Sequence, residues 1–278
     1  MPIQKNIAIP SVSALPVLTD LFTPIGAGPW PVLMFCHGFK GFKDWGWFPH
    51  MHKFFCEQGI AVLNIGFSHN GTDAEHPMEF VHPERFAAQT VSGDLAEINN
   101  VIDWVCSDGV HFGLDPDQIC LTGHSRGGAL AILAASKNKR IKQVVTWAAI
   151  SAFGFSFAGA DKHAWKENGH ILIPNQRTGQ TMPLNYSYWQ DIQEHAAEFN
   201  IPDRAAELEI PLLILHGAAD TSVPVSHALE IYEACIHSIF IEIDNTDHTF
   251  GAGHPFTEES TFTTAMVSVF SNTASFIV

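Results

Sequence analysis

A β-rich run passes directly into a small-residue helical run, and a serine stands at the junction. Residues 118–122 have the apolar and β-branched composition of a strand, and residues 128–135 have that of a helix. Between them, Gly123 and Gly127 bracket Ser125 at the spacing G-x-S-x-G. A strand that turns at once into a helix strains the middle residue, and larger side chains would clash at the two flanking positions. The pattern predicts an exposed Ser125 at a helix N-terminus, where developing negative charge is favoured.

Buried apolar runs recur along the chain at the spacing of alternating strands and helices. Residues 31–36 and 60–65, joined by a helical pattern that begins at Asp44, form a strand–helix–strand unit with parallel strands. Further runs with strand composition lie at 118–122, 143–150, 211–215 and 238–243, and the apolar stripe of residues 85–107 predicts a helix. Residues 5–23 alternate loosely and contain prolines, which predicts edge strands. We therefore expect an α/β fold with a mostly parallel central sheet flanked by helices.

The composition narrows the classes of partner and the compartment. The chain has 278 residues, with 29 acidic against 14 basic residues and a net charge of −15, which argues against nucleic-acid binding. No apolar run approaches the length of a membrane span, and the N-terminus lacks a signal-peptide pattern. The five cysteines are an odd number without close pairing, which favours buried free thiols. We expect a soluble cytoplasmic protein that acts on a small molecule; a homo-oligomer is left open.

The alternation of strands and helices breaks at residues 151–207. This stretch is too long for an ordinary connection and carries many aromatic residues among polar ones, as caps over a site do. We predict an inserted cap at 151–207 on a core formed by residues 1–150 and 208–278. Three side chains are the candidate lining of a substrate pocket: His124, Trp165 and Trp189. In the other interpretation, the aromatic residues of the insert pack it against the core.

A serine hydroxyl is a poor nucleophile at neutral pH and needs a base. Histidine titrates in the right range, and a carboxylate behind it fixes the tautomer and stabilises the imidazolium. In an open α/β sheet, such groups come from loops at the carboxyl ends of strands. Asp220 and His248 each follow a predicted strand, so Ser125, Asp220 and His248 are the candidate nucleophile, acid and base. Asp244 and Asp247 are alternative acids, although both lie very near His248 in sequence.

A long polar loop between residues 66 and 84 raises the question of a metal site. It contains the potential ligands His69, Asp73, Glu75, His76 and His82. Their spacing is irregular, without a histidine pair one helical turn apart. We therefore expect a loop at the rim of the site and no metal or other cofactor, with a metal-dependent hydrolase as the weaker hypothesis.

Four segments in this order resemble the α/β-hydrolase superfamily, in its serine esterase and dienelactone-hydrolase-like branch. They are residues 37–39, 123–127, 216–224 and 247–250. The resemblance covers nearly the whole chain apart from the insert and implies the same roles for Ser125, Asp220 and His248. It also implies an oxyanion hole from the backbone N–H groups of Phe39 and Arg126, each worth ~3 kcal/mol in the transition state. The chain departs from dienelactone hydrolases, which have a cysteine in place of Ser125.

The expected function is hydrolysis of a carboxylic ester of a small molecule through an acyl-enzyme, a reaction that requires no cofactor. Hydrolysis of a thioester, an amide or a peptide by the same residues is the first alternative. A non-catalytic ligand-binding protein of the same fold is the second, and none of the three candidate residues is missing to favour it.

Overall fold

The apolar runs of the sequence become the strands of one eight-stranded sheet and a separate two-stranded sheet. The computed structural model describes residues 1–175 and 179–278. Its strands are β1 (Ile3–Ile9), β2 (Val17–Phe22), β3 (Trp30–Cys36), β4 (Ala61–Gly66), β5 (Leu114–His124), β6 (Ile141–Trp147), β7 (His170–Asn175), β8 (Gln180–Asn185), β9 (Leu212–Gly217) and β10 (Ser238–Ile243).

Helices connect most of the parallel strands. In the described part of the chain they are α1 (His52–Glu57), α2 (Pro83–Ala87), α3 (Val91–Cys106), α4 (Arg126–Lys137), α5 (Lys162–Asn168), α6 (Tyr186–Glu194), α7 (Ile201–Ala206), α8 (Ser226–Ala234) and α9 (Thr264–Ile277). Two short 3₁₀ helices lie at Asp108–Phe112 and Phe155–Phe157.

The strand order of the large sheet is β1-β2-β4-β3-β5-β6-β9-β10. Strands β1 and β2 run antiparallel at one edge, as predicted for residues 5–23, and the remaining neighbours from β4 to β10 pair in parallel. Every residue of β4 and of β9 is buried, as expected of parallel strands covered on both faces. The predicted α/β class is confirmed, and the carboxyl ends of the parallel strands share one edge.

Two predicted helices differ from the observed ones. Asp44 does not cap a helix: its carboxylate pairs with Lys43 Nζ at 2.5 Å, and the chain runs through turns, with Gly46 at φ 51°, until α1 begins at His52. The helix predicted from residue 85 to 107 is divided into α2 and α3. The division lies at Thr90, whose hydroxyl accepts the Gly93 N–H at 3.0 Å and caps α3.

An aromatic cluster fills the core between the sheet and α9. Trp47, Trp147 and Phe270 are fully buried, with ring centroids 5.4 Å apart for the two tryptophans and 5.2 Å for Trp47 and Phe270. The Trp147 indole N–H donates to Thr273 Oγ1 at 3.1 Å, so its polar atom is also satisfied. The cluster fixes β6 and the loop after β3 against α9.

The insert between β6 and β9 is bonded to the core through α6. The backbone N–H and hydroxyl of Ser92 in α3 donate to the Asp191 carboxylate at 2.9 and 2.5 Å. Arg126 Nε donates to the Tyr188 hydroxyl at 3.0 Å. The last helix of the insert, α7, packs on α4 and α8 in the helical layer of the core. Before α7, this segment forms α5, the two-stranded sheet of β7 and β8, and α6, which lie outside the eight-stranded sheet.

The cysteines follow the expectation of free thiols. Four are buried and Cys106 is half-buried, with no disulfide in the described residues. Across residues 1–175 and 179–278, no helix is both long enough and apolar enough to span a bilayer.

Helix α3 carries two aspartate–arginine pairs in contrasting surroundings. Asp94 Oδ2 lies 2.5 Å from Arg126 Nη1, and the two side chains are 5% and 4% exposed. Asp103 Oδ1 lies 2.6 Å from Arg140 Nη1, where the side chains are 64% and 42% exposed. The first pair joins α3 to α4 inside the protein, and the second lies in solvent.

We expect Asp94→Ala to lower the free energy of unfolding by about 3–5 kcal/mol, because the Arg126 guanidinium is then buried without its carboxylate. Asp103→Ala is the matched control from the same helix and should change this free energy by less than about 1 kcal/mol. Urea unfolding followed by circular dichroism measures both. Equal losses in the two variants would contradict the difference in burial between the pairs.

Glu97 is a second buried acid of α3. Its carboxylate accepts the Ser68 backbone N–H at 2.9 Å, the Ser11 hydroxyl at 2.9 Å and the Ser68 hydroxyl. Burial, followed by repulsion from Asp94, raises the pKa of Glu97 to about 7, although the hydrogen bonds from Ser68 and Ser11 oppose the rise.

The raised pKa of Glu97 predicts a pH-dependent stability. Between the ordinary glutamate pKa of 4.5 and about 7, the folded protein binds this proton more tightly than the unfolded chain does. The free energy of unfolding should therefore fall across this window as pH rises, by an amount on the order of 3 kcal/mol. Glu97→Gln should remove this component from unfolding curves measured at several pH values. The exposed Glu233→Gln should keep the wild-type slope, and an unchanged slope in Glu97→Gln would refute the prediction.

Candidate active site

Ser125 occupies the junction of β5 and α4 with a backbone that L-residues rarely adopt. Its φ is 55° and its ψ −120°, and its N–H donates to Trp147 O at 2.8 Å. A Cβ on Gly123 would lie 2.1 Å from Gly127 O, and one on Gly127 would lie 2.2 Å from Cys36 O. Both flanking glycines are therefore required by close backbone contact, and the turn holds Ser125 at the N-terminus of α4.

The structure brings Asp220 and His248 together from the ends of β9 and β10. His248 Nδ1 lies 2.7 Å from Asp220 Oδ2, while Oδ1 accepts the N–H groups of Ser222 and Val223 at 2.8 and 2.9 Å. Burial raises the pKa of Asp220, but hydrogen bonds from His216 and His248 outweigh it and hold this pKa well below its usual range. Because an ionised carboxylate only accepts, His248 Nδ1 is the donor, which leaves Nε2 free to take a proton.

Neither alternative acid makes such a contact within the described residues. The Asp247 carboxylate accepts the N–H groups of Thr249 and Gly251 at 3.0 and 2.9 Å and stabilises its own turn. Asp244 is exposed at the end of β10. The geometry thus selects Asp220 as the partner of His248.

Ser125 and His248 line one cavity of about 30 Å³. Its remaining walls include His124 and the aromatic residues Phe39, Trp45 and Phe48. Within residues 1–175 and 179–278 the Ser125 hydroxyl makes no hydrogen bond, so it is accessible to a ligand in the cavity. In unliganded sites, the bond between nucleophile and base often tightens only when substrate binds.

His124 holds the histidine loop beside Ser125. Its Nε2 lies 2.8 Å from His248 O, and the two imidazole rings have centroids 4.7 Å apart. This contact places the backbone of His248 over the end of β5. His124 thus lines the cavity and also supports His248, and its contact with substrate stays a prediction.

The candidate oxyanion donors are the backbone N–H groups of Phe39, which lines the cavity with Ser125, and of Arg126, which follows Ser125 in sequence. Gly38 brings the loop after β3 directly over the serine, since a Cβ there would lie 3.0 Å from Ser125 Cβ. Arg126 is the first residue of α4, where a backbone N–H has no intrahelical acceptor. Neither N–H donates to another residue of the described chain. Their role as donors to an oxyanion stays a prediction, and the N-terminus of α4 favours negative charge at this point.

The Arg126 side chain points away from this cavity into the protein. It pairs with Asp94 and donates to Tyr188, as described above. Burial lowers the pKa of Arg126, but the Asp94 carboxylate more than compensates and raises it above its usual value. The guanidinium is a structural cation that links α3, α4 and α6.

The two tryptophans proposed as pocket lining lie in the insert. Trp165 is fully buried, donates its indole N–H to Leu184 O at 3.0 Å and packs on Phe157. Trp189 is half-buried, with Lys162 Nζ 4.7 Å from its ring centroid. Neither is among the residues that line the cavity at Ser125. Contact of either one with substrate stays a prediction.

The aromatic wall of the cavity comes instead from the turns after β3. Trp45 and Phe48 lie in the run 45–48, which the sequence presents as part of a helix. The sequence signal for this wall is the run 45–48 itself, which has three aromatic side chains in four residues and closely follows the loop after β3.

The polar loop after β4 is held together by its own charged residues. Asp73 Oδ2 lies 2.8 Å from His82 Nε2, and Asp73 Oδ1 lies 3.1 Å from His76 Nδ1. Hydrogen bonds, the one from His82 first, hold the pKa of Asp73 below its usual range. Among the residues that the structure describes, no three His, Cys, Asp or Glu side chains are grouped to hold a metal ion.

Another residue that no sequence motif had singled out for a role is His216, at the end of β9. Its Nε2 lies 3.3 Å from Asp220 Oδ2 and 2.8 Å from Val223 O. The only sequence signal is a histidine four residues before the acid.

Comparison with known proteins gives a family match over most of the chain. The BD-FAE family model matches residues 20–235. Among curated relatives, the Uncharacterized peptidase YuxL of Bacillus subtilis is 23% identical over 239 residues, which cover 83% of this chain and 33% of that protein. The Isoprenylcysteine alpha-carbonyl methylesterase ICME of Arabidopsis thaliana is 24% identical over 227 residues, which cover 77% of this chain and 48% of that protein.

The chain thus spans between a third and a half of the length of these two curated relatives. Among solved structures, Est1E from Butyrivibrio proteoclasticus aligns with a TM-score of 0.69 and 18% identity, over 99% of this chain and 98% of that one, which shows the shared fold. The resemblance to the α/β-hydrolase superfamily, in its serine esterase and dienelactone-hydrolase-like branch, is confirmed. The chain belongs to the BD-FAE family of that superfamily.

Proposed function

We propose that this chain hydrolyses a carboxylic ester of a small molecule through an acyl-enzyme. One observation carries the proposal: Ser125 shares a cavity with His248, whose Nδ1 is held at 2.7 Å by the Asp220 carboxylate. Membership of an α/β-hydrolase family supports the hydrolytic reaction. Serine, histidine and aspartate in these relative positions are the groups that acyl transfer requires.

In the first half of the proposed reaction, Ser125 Oγ attacks the ester carbonyl carbon while His248 Nε2 takes its proton. The carbonyl electron pair moves onto oxygen, and the N–H groups of Phe39 and Arg126 stabilise this oxyanion. The tetrahedral intermediate then expels the alcohol oxygen, which receives the proton from His248. Asp220 stabilises the imidazolium and keeps its own charge throughout.

In the second half, His248 takes a proton from water, and the resulting nucleophile attacks the acyl carbon bound to Ser125. Collapse of this intermediate releases the acid and returns the proton to Ser125 Oγ. The nucleophile, the base and the oxyanion donors all belong to this chain, so the proposal requires no cofactor. Each oxyanion donor contributes ~3 kcal/mol in such sites.

The size and the lining of the cavity also indicate which acyl groups fit beside Ser125. Its volume of about 30 Å³ and its walls of Phe39, Trp45 and Phe48 suit a short apolar group next to the reacting carbon. A longer chain has to displace Trp45 or Phe48, which are both buried, and cores resist such overpacking. We therefore propose esters of short acyl groups as the preferred substrates.

Ser125→Ala should reduce the turnover of p-nitrophenyl acetate by at least about 1,000-fold, because the covalent step loses its nucleophile. Ser275→Ala, an exposed serine of α9, is the matched control and should retain wild-type turnover. Steady-state rates and labelling by a fluorophosphonate probe measure the effect. Labelling of wild type but not of Ser125→Ala is the expected pattern.

Equal rates in wild type and Ser125→Ala would remove Ser125 from the chemistry and overturn the proposal. Turnover of an acyl thioester or an aminoacyl amide in preference to every ester would keep the residues and change the substrate class.

We expect kcat/KM to fall at least about tenfold from p-nitrophenyl acetate to the octanoate, because the longer acyl chain meets the aromatic wall. Phe39→Ala keeps the backbone N–H and enlarges the cavity. It should therefore lower the ratio of kcat/KM for the acetate to kcat/KM for the octanoate. Phe112→Ala, an exposed phenylalanine outside the site, should leave the ratio unchanged. A ratio that responds to Trp189→Ala and not to Phe39→Ala would favour the pocket proposed from the sequence.

A further inference from the structure

His216 is a second imidazole on the acid of the site. The side chain is completely buried at the end of β9. Its Nε2 faces two acceptors, Asp220 Oδ2 at 3.3 Å and Val223 O at 2.8 Å. A nitrogen that meets two acceptors carries the proton, so Nε2–H is the donor. Nδ1 is buried without a partner in the described residues and is the bare nitrogen of the ring.

We propose that His216 is a positioning residue that orients the Asp220 carboxylate toward His248. The inference rests on the proposed function. His216 does not line the cavity at Ser125, so it acts on the reaction only through Asp220.

The contacts of Asp220 show what His216 adds. Oδ1 is fixed by the backbone N–H groups of Ser222 and Val223, whereas Oδ2 is shared by the two histidines. During each turnover the His248 ring alternates between imidazole and imidazolium, so its bond to Oδ2 changes. His216 remains a constant donor to that oxygen and therefore keeps the plane of the carboxylate fixed.

His216 also anchors the loop that carries the acid. Its bond to Val223 O joins the far end of the loop back to β9. At the near end, a Cβ on Gly217 would lie 2.5 Å from Thr246 O, so the acid loop and the histidine loop are in close backbone contact. The imidazole thus fixes the acid loop at the point where it packs against the loop of His248.

The other titratable groups near this pair are engaged elsewhere. His227 and Glu230 of α8 both bond the Ser151 hydroxyl, at 2.7 and 2.5 Å. Burial, ahead of the opposing effect of Glu230, lowers the pKa of His227. His124, on the opposite side, contacts the His248 backbone. Of the described residues, the side-chain donors to Asp220 Oδ2 are the two histidines.

Two substitutions separate positioning from packing. His216→Phe keeps a buried ring and removes the N–H, whereas His216→Gln places an amide N–H near the position of Nε2. We expect His216→Phe to lower kcat by roughly 10- to 100-fold with KM nearly unchanged, as loss of an orienting partner does. His216→Gln should recover most of kcat. His111→Phe, an exposed histidine at the other end of β5, should behave as wild type.

The pH profile supplies a readout that a packing defect would not move. A carboxylate with one donor fewer holds the His248 imidazolium more strongly. The acid limb of kcat/KM should therefore move to higher pH in His216→Phe, by roughly 0.5 to 1 pH unit. It should return toward the wild-type position in His216→Gln. An acid limb and a kcat that match wild type in His216→Phe would overturn the proposal. So would equal losses in both variants together with lowered melting temperatures.

Imidazole NMR keeps this test separate from that of the proposed function. If wild-type protein turns over no ester, the proposed function fails, while long-range ¹H–¹⁵N spectra still report the tautomers. We expect an Nε2–H signal from His216 and an Nδ1–H signal from His248, with the latter exchanging faster in His216→Phe. An Nδ1–H tautomer at His216, or unchanged exchange at His248, would refute the positioning role.

Discussion

Backbone contact between the turn at Ser125 and the end of β3 is the constraint on which the site depends. Gly127 leaves no room for a Cβ against Cys36 O, and Cys36 is the register partner of Gly123 in the β3–β5 ladder. Helix α4 therefore begins immediately over the paired strands, and Ser125 takes the φ of 55° that this start requires. The loop after β3 has to pass over the serine, so both candidate oxyanion donors follow from one packing contact.

The acid and the base lie at the same carboxyl edge of the sheet, after β9 and β10, and are held by an equivalent contact between two loops. Register pairs Ile243 of β10 with Gly217 of β9, and the Ala219 N–H donates to Thr246 O at 2.9 Å. The Asp220 and His248 loops are thus bonded to each other through their own backbone groups. His124 joins the two halves, because it ends β5 and bonds the His248 backbone. Strand order alone, with β6 between β5 and β9, would leave them apart.

Local sequence patterns predict most of the fold and the central residues of the candidate site. Continuous apolar runs identify buried parallel strands, and the glycine spacing around Ser125 identifies the sharp turn, since both patterns reflect sterics within a few residues. The sequence predicts that Asp44 begins a helix, but its carboxylate pairs with Lys43, whose Nζ also donates to Asp20, 23 residues earlier in the chain. The aromatic wall at Trp45 depends on turns that no periodicity reveals. The role of His216 depends on a tight loop that places Asp220 Oδ2 and Val223 O next to the same atom, His216 Nε2.

Helix α6, in the segment predicted to form a cap, is bonded to the core beside the candidate site. The Arg126 side chain donates to the Tyr188 hydroxyl of α6, and the backbone N–H of Arg126 lies at the start of α4. Phe39, the other candidate oxyanion donor, has its ring 5.7 Å from Phe157 and 6.1 Å from Tyr188, both in the insert. Helix α6 is therefore joined by a buried hydrogen bond to Arg126 and by aromatic contact to Phe39, the two residues that carry the candidate oxyanion donors. Because buried polar contacts are costly to leave unmade, the bond from Arg126 to Tyr188 stabilises the packing of α6 against α4.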